Sequence, residues 1–278
     1  MHLVKQIEDM ELQLSEWRQD LHAHPELGFE EHRTSDFVAS KLEEFGVEVH
    51  REIGKTGVVG VLRQGNETRS IGLRADMDAL PISETNEFSH KSKNPGKMHA
   101  CGHDGHTVML LAAAKYLAES RSFSGQVNFI FQPAEEGLGG AKAMIDDGLF
   151  DKFPCDRVYA MHNGPGIAVG KFASVPGIRT AAGAFFDIKV IGKGGHGAFP
   201  QFAIDPITIA AEIIGAIQTI ISRTTSPNDS AVLSITKVHA GDAYNVIPES
   251  IESAAKTSLK NLLINLLYIN LMIKISIR

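Results

Sequence analysis

Cysteine is scarce in this sequence: Cys101 and Cys155 are the only two among 278 residues, and they lie far apart. Two distant thiols argue against a disulfide framework and fit a reducing compartment. The first twenty residues lack a basic region followed by an apolar run, because acidic residues interrupt them, so no export signal is predicted. A cytoplasmic location is therefore expected.

A long block of basic charge is also missing. The chain has 27 basic and 33 acidic residues, a formal net charge of −6, and these charges are scattered. Since a protein that follows a phosphate backbone needs clustered Lys and Arg, nucleic acid is not an expected partner. With 43% hydrophobic residues the chain can bury a sizeable core, and it is long enough for two domains.

Alternating helix and strand patterns predict the α/β class. Apolar residues recur at helical spacing at 7–21, 37–45, 107–117 and 141–145. Short apolar runs predict strands at 58–62, 71–73, 127–131 and 158–161. This order predicts a mainly parallel sheet with helices on its faces.

The pattern changes from about residue 177. A strand-like run at 185–191 is followed by a glycine-rich turn, a helix at 206–221 and a strand at 232–238. A unit of strand, helix and strand predicts a separate, smaller α+β domain.

Polar residues with metal-binding groups stand just after the predicted strands and in one further segment. In chain order they are Asp76, Asp78, Cys101, His103, Glu135, Glu136 and His162. Ligands of open α/β sheets bind beyond the carboxyl ends of the strands, so these side chains are expected at one rim. Thiolate, imidazole and carboxylate are donors for a borderline-soft divalent ion, and their joint placement favours a metal site.

Each residue taken alone also has a structural interpretation. Cys101 fits a small buried hydrophobe, and His162 fits a satisfied core or surface histidine. The two glutamates could open a helix, where carboxylates favour the helix dipole, and the two aspartates could cap a turn. The combination at the strand ends is what favours metal binding.

Five motifs occur in a fixed order along the chain. They are WRQDLHAHPE at 17–26, RADMDALP at 74–81, MHACGHDGHT at 98–107, QPAEE at 132–136 and GGHGA at 194–198. With them the sequence resembles a metallo-amidohydrolase family of aminoacylases, hippurate hydrolases, N-acetyl-diaminopimelate deacetylases and auxin-conjugate hydrolases. This family belongs to a larger group of dinuclear metallopeptidases, and the resemblance extends from about residue 8 to residue 252.

The resemblance implies a zinc-peptidase-like catalytic domain with a two-ion site. By position, the metal ligands are Cys101, His103, Glu136 and His162. Glu135 matches the general base and acid, and Asp78 matches a carboxylate that orients the ligands. Three further residues either line the same rim or are structural: His99, Asp104 and His106. The thiolate suggests zinc, while manganese, cobalt or nickel could occupy the same donors.

The family's chemistry is amide hydrolysis, in which the ions activate a water and polarise the acyl carbonyl while the residue matching Glu135 moves the proton. The implied substrates are N-acyl amino acids or related small amides. The inserted domain of the family forms a homodimer, in which His196 would reach the partner's site and stabilise the oxyanion. Asn245 matches a substrate-binding residue, and Gln201 stands where relatives often carry a histidine. Without the resemblance, His196 fits a glycine-flanked surface turn.

The end of the sequence departs from the family. Relatives continue after ESIE at 249–252 with more of the small domain and one further histidine ligand. Residues 254–278 instead carry many Leu and Ile among Asn and Lys, with no acidic residue, Gly or Pro. This resembles an AT-rich gene translated in a shifted frame; an amphipathic or membrane-seeking helix is the alternative, although polar residues interrupt it and no membrane span is expected.

The expected organisation is therefore a catalytic domain at 1–176, an incomplete dimerisation (lid) domain at 177–252 and an aberrant tail at 253–278. Two functional hypotheses follow. The first is a working metal-dependent amidohydrolase, and the alternative is a truncated, catalytically impaired homologue that at most dimerises and binds metal weakly.

Overall fold

The computed structural model describes residues 5–174, 176–177 and 182–259. The chain divides into two compact units, Met1–Lys171 and Phe172–Arg278. The predicted tail lies outside the described residues from position 260 onward.

The first unit alternates helices and strands. Its elements in chain order are α1 (Lys5–Glu8), α2 (Glu11–Ala23), α3 (His32–Glu44), β1 (Glu48–Ile53), β2 (Gly57–Gln64), β3 (Ser70–Asp76), α4 (His103–Ser120), β4 (Gly125–Gln132), α5 (Gly140–Asp146), α6 (Leu149–Lys152) and β5 (Arg157–Ala160). All four predicted strands are present, and the helix predicted over 7–21 is divided at Asp9 and Met10 into α1 and α2.

The five strands form one sheet in the order β1-β2-β4-β3-β5. Strand β3 pairs in parallel with β4 and β5, while β2 pairs antiparallel with β1 and β4. The α/β class is confirmed, but the sheet is mixed, where the sequence predicts a mainly parallel one. The reason is β2, which runs opposite to both of its neighbours, β1 and β4. Strand β1 was missed by the sequence analysis, and the short turn that joins it to β2 makes this pair antiparallel.

Both faces of the sheet are covered. In β4, Phe129 and Phe131 belong to one buried cluster, whereas Ile130 between them belongs to another. Successive side chains of a strand point to opposite faces, so this division shows a core on each side. The first cluster includes Leu21 of α2 and Leu111 of α4, and the second is smaller.

Parallel strands β3, β4 and β5 end at one edge of the sheet. Helix α4, the longest of this unit at 18 residues, begins with His103 and buries one side against the sheet. The polar residues that follow β3, β4 and β5 therefore lie in one region, together with those at the start of α4.

The second unit is a smaller α+β structure. Its elements are β6 (Ala182–Ile191), β7 (Gly195–His196), a 3-10 turn (Pro200–Phe202), α7 (Pro206–Thr224), β8 (Ala231–Ala240), β9 (Val246–Ile247) and β10 (Ser250–Leu259). Strand β10 lies between β6 and β8 and pairs antiparallel with both. Asp205 caps α7, because its Oδ1 accepts the Ile207 N–H at 2.8 Å.

Two findings bear on the expectations for this region. Strand β10 continues to Leu259, so the first seven residues assigned to the tail, 253–259, form part of the central strand of this sheet. Helix α7 is long and apolar enough by length and composition to cross a membrane, with a mean hydropathy of 1.2. It also contacts β8 and β10, and the absence of a membrane partner stays a prediction.

Candidate metal centre

Seven potential metal-binding residues of the first unit lie in three overlapping groups. Within each group, one donor atom per residue lies within 4.8 Å of the others. The groups are Cys101, His103 and His162; His103, Glu135 and Glu136; and Asp76, His103 and His106. His103 belongs to all three, so it lies at the centre of the cluster. The side chains predicted to hold metal are thus brought together from three loops and the start of α4.

The distances between donors fit a metal ion. The Sγ atom of Cys101 lies 3.4 Å from Nε2 of His162, and Nε2 of His103 lies 3.9 Å from Oε1 of Glu136. A tetrahedral ion with bonds of about 2.0–2.3 Å holds its donors roughly 3.3–3.8 Å apart. The described residues leave Nε2 of His103 buried and without a hydrogen-bond partner. A buried nitrogen without a partner is costly, and a metal ion at this point would satisfy it.

Asp78 orients His103. The Nδ1 atom of His103 lies 2.8 Å from the main-chain oxygen of Asp78 and 3.1 Å from its Oδ1. The proton of His103 therefore belongs on Nδ1, which leaves the lone pair of Nε2 directed at the other donors. Burial by itself would raise the pKa of Asp78, but the hydrogen bond with His103 and the main-chain N–H of Glu136 lower it overall.

A second chain of contacts runs through the buried His106. Its Nδ1 donates to Oδ1 of Asp76 at 2.6 Å, and its Nε2 lies 2.5 Å from Oδ1 of Asn163. Arg74 braces Asp76, with its Nη1 2.9 Å from Oδ2, and also donates to Gln132 at 2.8 Å. Asn163 follows His162, so this chain connects the end of β3 to the loop that carries a metal donor. The sequence left the role of His106 open and missed Arg74, Gln132 and Asn163.

Burial and the surrounding carboxylates shift the pKa of the Cys101 thiol. Burial raises the pKa of the Cys101 thiol to about 12, and the neighbouring carboxylates of Glu136, Glu135 and Asp76 add to this shift. Burial also opposes the ionised form of Asp76, yet His106, His103 and Arg74 lower its pKa overall. A thiol in such surroundings ionises only when a cation compensates the charge, and a bound metal deprotonates a coordinating thiol outright.

Two residues whose role the sequence left open between the rim and a structural function, Asp104 and His99, lie outside the donor groups of the described chain. Asp104, the second residue of α4, accepts from Nδ1 of His22 at 2.9 Å and lies 3.3 Å from Nε of Arg18. The other nitrogen of His22 lies 3.1 Å from Oε1 of Glu84. His99 is buried without a hydrogen-bond partner among the described residues, and burial lowers its pKa to about 4. Neither Asp104 nor His99 joins a group of metal donors found in the described part of the chain.

The two predicted site residues of the second unit lie beside each other. His196 in β7 pairs with Val246 in β9, and the Gly197 N–H donates to the main-chain oxygen of Asn245 at 2.8 Å. The Ala198 N–H donates to Nδ1 of His196 at 3.1 Å. Both His196 and Asn245 are exposed on this unit. Their assigned roles stay predictions.

An α/β unit that gathers thiolate, imidazole and carboxylate at the carboxyl edge of its sheet has the architecture of a metallopeptidase. Comparison with known protein families shows which metallopeptidase family this is. The model of Peptidase family M20/M25/M40 matches residues 72–266, and the chain belongs to this family. The match extends past residue 252, where the sequence analysis ended the resemblance.

Curated relatives include a hippurate hydrolase and an N-acyl-L-amino acid amidohydrolase. The chain is 54% identical to the hippurate hydrolase of Campylobacter jejuni over 249 residues, which cover 90% of this chain and 65% of that protein. It is 45% identical to the N-acyl-L-amino acid amidohydrolase of Geobacillus stearothermophilus, with coverage of 88% and 66%. The chain thus spans slightly less than two thirds of the length of these relatives.

Solved structures share the fold. The crystal structure of the Bacillus subtilis YXEP protein, a dinuclear metal binding peptidase from the M20 family, has a TM-score of 0.71 and 34% identity. It covers 95% of this chain, which in turn covers 68% of that protein. A structure from methicillin-resistant Staphylococcus aureus has a TM-score of 0.78 and 38% identity, with coverage of 94% and 70%.

Proposed function

We propose that this protein hydrolyses the amide bond of N-acyl amino acids or related small amides with two divalent metal ions. The observation that carries the proposal is the buried Nε2 of His103, which has no hydrogen-bond partner in the described part of the chain and lies among thiol, imidazole and carboxylate groups. The names of the relatives support the substrate class, since hippurate and N-acyl-L-amino acids share an amide bond to an amino acid.

The proposed ligands are Cys101, His103, Glu136 and His162. Divalent ions at such a site supply Lewis acidity, which acidifies a water and polarises the acyl carbonyl. The donors fit zinc, and manganese, cobalt or nickel can use the same set. Asp78 holds His103 in the tautomer that binds through Nε2, as its two contacts with Nδ1 support.

Glu135 is the proposed general base and acid. Its carboxylate takes a proton from the attacking water and passes it to the amine nitrogen as the C–N bond breaks. The products are then a carboxylate and a free amino acid. The position of Glu135 supports this role, because its carboxylate lies within 4.8 Å of donor atoms of the proposed ligands His103 and Glu136.

The second unit is proposed to form a homodimer in which His196 stabilises the oxyanion at the partner's site and Asn245 helps to hold the substrate. The exposure of both residues and their adjacency on β7 and the loop before β9 support this proposal. Mixing inactive His196→Ala subunits with inactive Glu135→Gln subunits tests it. Partial recovery of turnover is expected, and no recovery in verified mixed dimers contradicts action across the interface.

A cytoplasmic location is proposed on the two cysteines, Cys101 and Cys155, which are both free thiols. The protein's activity is tested by purifying the chain, measuring bound metal, and assaying amino acid release from N-acetyl and N-benzoyl amino acids. Metal binding with turnover that Glu135→Gln abolishes is expected. Metal binding without turnover supports the impaired homologue instead, and absence of both contradicts the proposed function.

A further inference from the structure

The segment that carries Glu135 and Glu136 is held at both ends by buried carboxylates. The Glu136 N–H donates to Oδ2 of Asp78 at 2.9 Å, and the Ala134 N–H donates to Oε1 of Glu31 at 2.8 Å. Asp78 contacts a proposed ligand, whereas Glu31 lies just before α3 and belongs to no donor group among the described residues. The burial of Glu31 is therefore not explained by a contact with a proposed metal ligand.

Glu31 is fully buried, with an exposed fraction of 0%. Its second oxygen, Oε2, accepts the hydroxyl of Thr56 at 2.6 Å. Burial raises the pKa of Glu31, and the hydrogen bonds from Thr56 and Ala134 oppose that rise. Placing a carboxylate among neutral partners in the interior is costly compared with an apolar side chain of similar size. The arrangement indicates that the hydrogen bond to Ala134 has a use beyond packing.

Ala134 is the residue that this bond constrains. It has a φ of +49°, a left-handed conformation that residues with a Cβ rarely adopt, and it is fully buried. Its carbonyl accepts the Gly140 N–H at 3.0 Å. Gly28 packs so closely that a Cβ added there would lie 3.0 Å from the Cα and Cβ of Ala134. Ala134 is therefore fixed through its N–H, its carbonyl and its side chain.

We propose that Glu31 is a positioning residue, which holds Ala134 in its left-handed conformation and thereby sets the direction of Glu135 and Glu136. The inference rests on the proposed function, because Glu135 is the base and Glu136 a ligand. Rotation of the Ala134 backbone would swing both side chains away from His103. A displacement of about 1 Å at a reacting group can lower turnover on the order of 100-fold.

Three substitutions test the hydrogen bond directly. Glu31→Leu removes the acceptor and puts an apolar side chain of similar size in its place. Glu31→Gln keeps an acceptor, because the amide oxygen can face Ala134 while the NH2 group donates to Oγ1 of Thr56. Thr56→Val is the matched control: it removes the other hydrogen bond of the same carboxylate and leaves the one to Ala134. Gly28→Ala disturbs Ala134 through close contacts of the added methyl group with its Cα and Cβ, and it serves if Glu31→Leu does not fold.

Three measurements are made on the folded chain: amide hydrogen exchange in the peptide over 131–137, the dissociation constant for cobalt(II), and kcat and KM for N-benzoylglycine. Glu31→Leu and Gly28→Ala are expected to exchange faster than the parent. Both should bind cobalt(II) roughly 10- to 100-fold more weakly, as for losses of residues that orient ligands, and lose kcat more than they change KM. Glu31→Gln should stay close to the parent, and Thr56→Val should lose thermal stability alone.

Unchanged exchange in Glu31→Leu overturns the proposal, as does faster exchange with parental cobalt(II) affinity and turnover. The same loss of affinity in Thr56→Val as in Glu31→Leu also overturns it, because any weakening of the fold would then suffice. If the parent itself binds no metal and turns nothing over, the proposed function fails separately. The exchange comparison among the variants then decides whether Glu31 fixes the segment.

Discussion

The Sγ atom of Cys101 lies 3.4 Å from Nε2 of His162, although 61 residues separate them in the sequence. One side chain precedes α4 and the other follows β5. Neither is held there by core packing, since Cys101 is half-buried and His162 is exposed. Their separation is close to that of two donors on one tetrahedral ion, which makes this pair the most direct test of the metal site.

Replacing either member of the pair should remove metal. We expect Cys101→Ala and His162→Ala each to lower affinity for zinc by at least about 10- to 100-fold, the range found when residues that merely orient ligands are lost. Metal content after dialysis against a zinc buffer measures the effect. The control is Cys155→Ala, since Cys155 contacts Asn128 and Phe153 and lies in no donor group of the described chain. Parental metal content in both site variants would remove the two residues from the proposed ligands.

Metal binding should release a proton from Cys101. The pKa of this thiol is raised to about 12 by burial and the nearby carboxylates, so without metal it is protonated at neutral pH. Because coordination requires the thiolate, affinity should increase as pH rises, by about tenfold per pH unit for each proton released.

Calorimetric titration with zinc in buffers of different ionisation enthalpy counts these protons. Cys101→Ala should release one proton fewer than the parent. Equal proton release in the parent and in Cys101→Ala would show that the thiol does not coordinate as a thiolate.

Gly102 lies where the loop before α4 passes close to the loop after β5. It has a φ of +93°, and a Cβ added there would lie 2.6 Å from Oδ1 of Asn163, the residue after His162. We expect Gly102→Ala to destabilise the fold and to weaken metal binding, because the methyl group displaces Asn163 and with it His162.

Gly96 provides the matched control for backbone strain. It has a φ of +76°, but nothing lies within 4 Å of an added Cβ. Gly96→Ala should therefore cost only the left-handed strain, about 1–2 kcal/mol, and keep parental metal affinity. Urea unfolding and metal titration of both variants measure the difference. If the two substitutions have the same effect on metal binding, the close approach at Asn163 does not matter.

The candidate metal site was partly predictable because several of its potential donors follow strands, whereas Cys101 and His103 lie just before and at the start of α4. The apolar run at 127–131 predicts β4, and parallel strands end at one edge, so Glu135 and Glu136 were expected near His162. Strand β1 was missed because four of its six residues are polar and only Ile53 is buried, so it has no apolar run and no regular alternation. Glu31 gave no signal, since an acidic residue beside another one, Glu30, in a loop is typical of the surface. Only packing against Ala134 and Thr56 makes it a buried acceptor.

The direction of Asp104 is a further case in which tertiary context decides. Its neighbour His103 belongs to the proposed metal site, and one residue along a helix changes the direction of a side chain by about 100°. Asp104 therefore faces α2, where Nδ1 of His22 lies 2.9 Å from its Oδ2. The sequence places both residues in one motif but does not show that they belong to different sites.

The buried pair of His22 and Asp104 should make stability depend on pH. The hydrogen bond to Asp104 is the main cause that raises the pKa of His22 above 6.5, with burial opposing it and Glu84 adding to the rise. Burial tends to raise the pKa of Asp104, but His22, His99 and Arg18 lower it below 3.8 overall. A raised histidine pKa contributes stability that is fully present below about 6.5 and is lost as pH rises through the folded value. A lowered carboxyl pKa contributes stability that is present above about 3.8 and is lost at lower pH.

The contribution of the pair should therefore be largest between about pH 4 and 6.5 and should decrease toward pH 9. Urea unfolding of the parent and of His22→Gln, with chelator present so that metal does not contribute, measures it as a difference in free energy of unfolding. The destabilisation by His22→Gln should be greater at pH 5.5 than at pH 9. In an Asp104→Asn background this pH dependence should shrink, because Glu84 remains as the only carboxylate contact of His22 found in the described chain. A constant effect of His22→Gln across this range would show that His22 stabilises the fold as a neutral ring rather than through its charge.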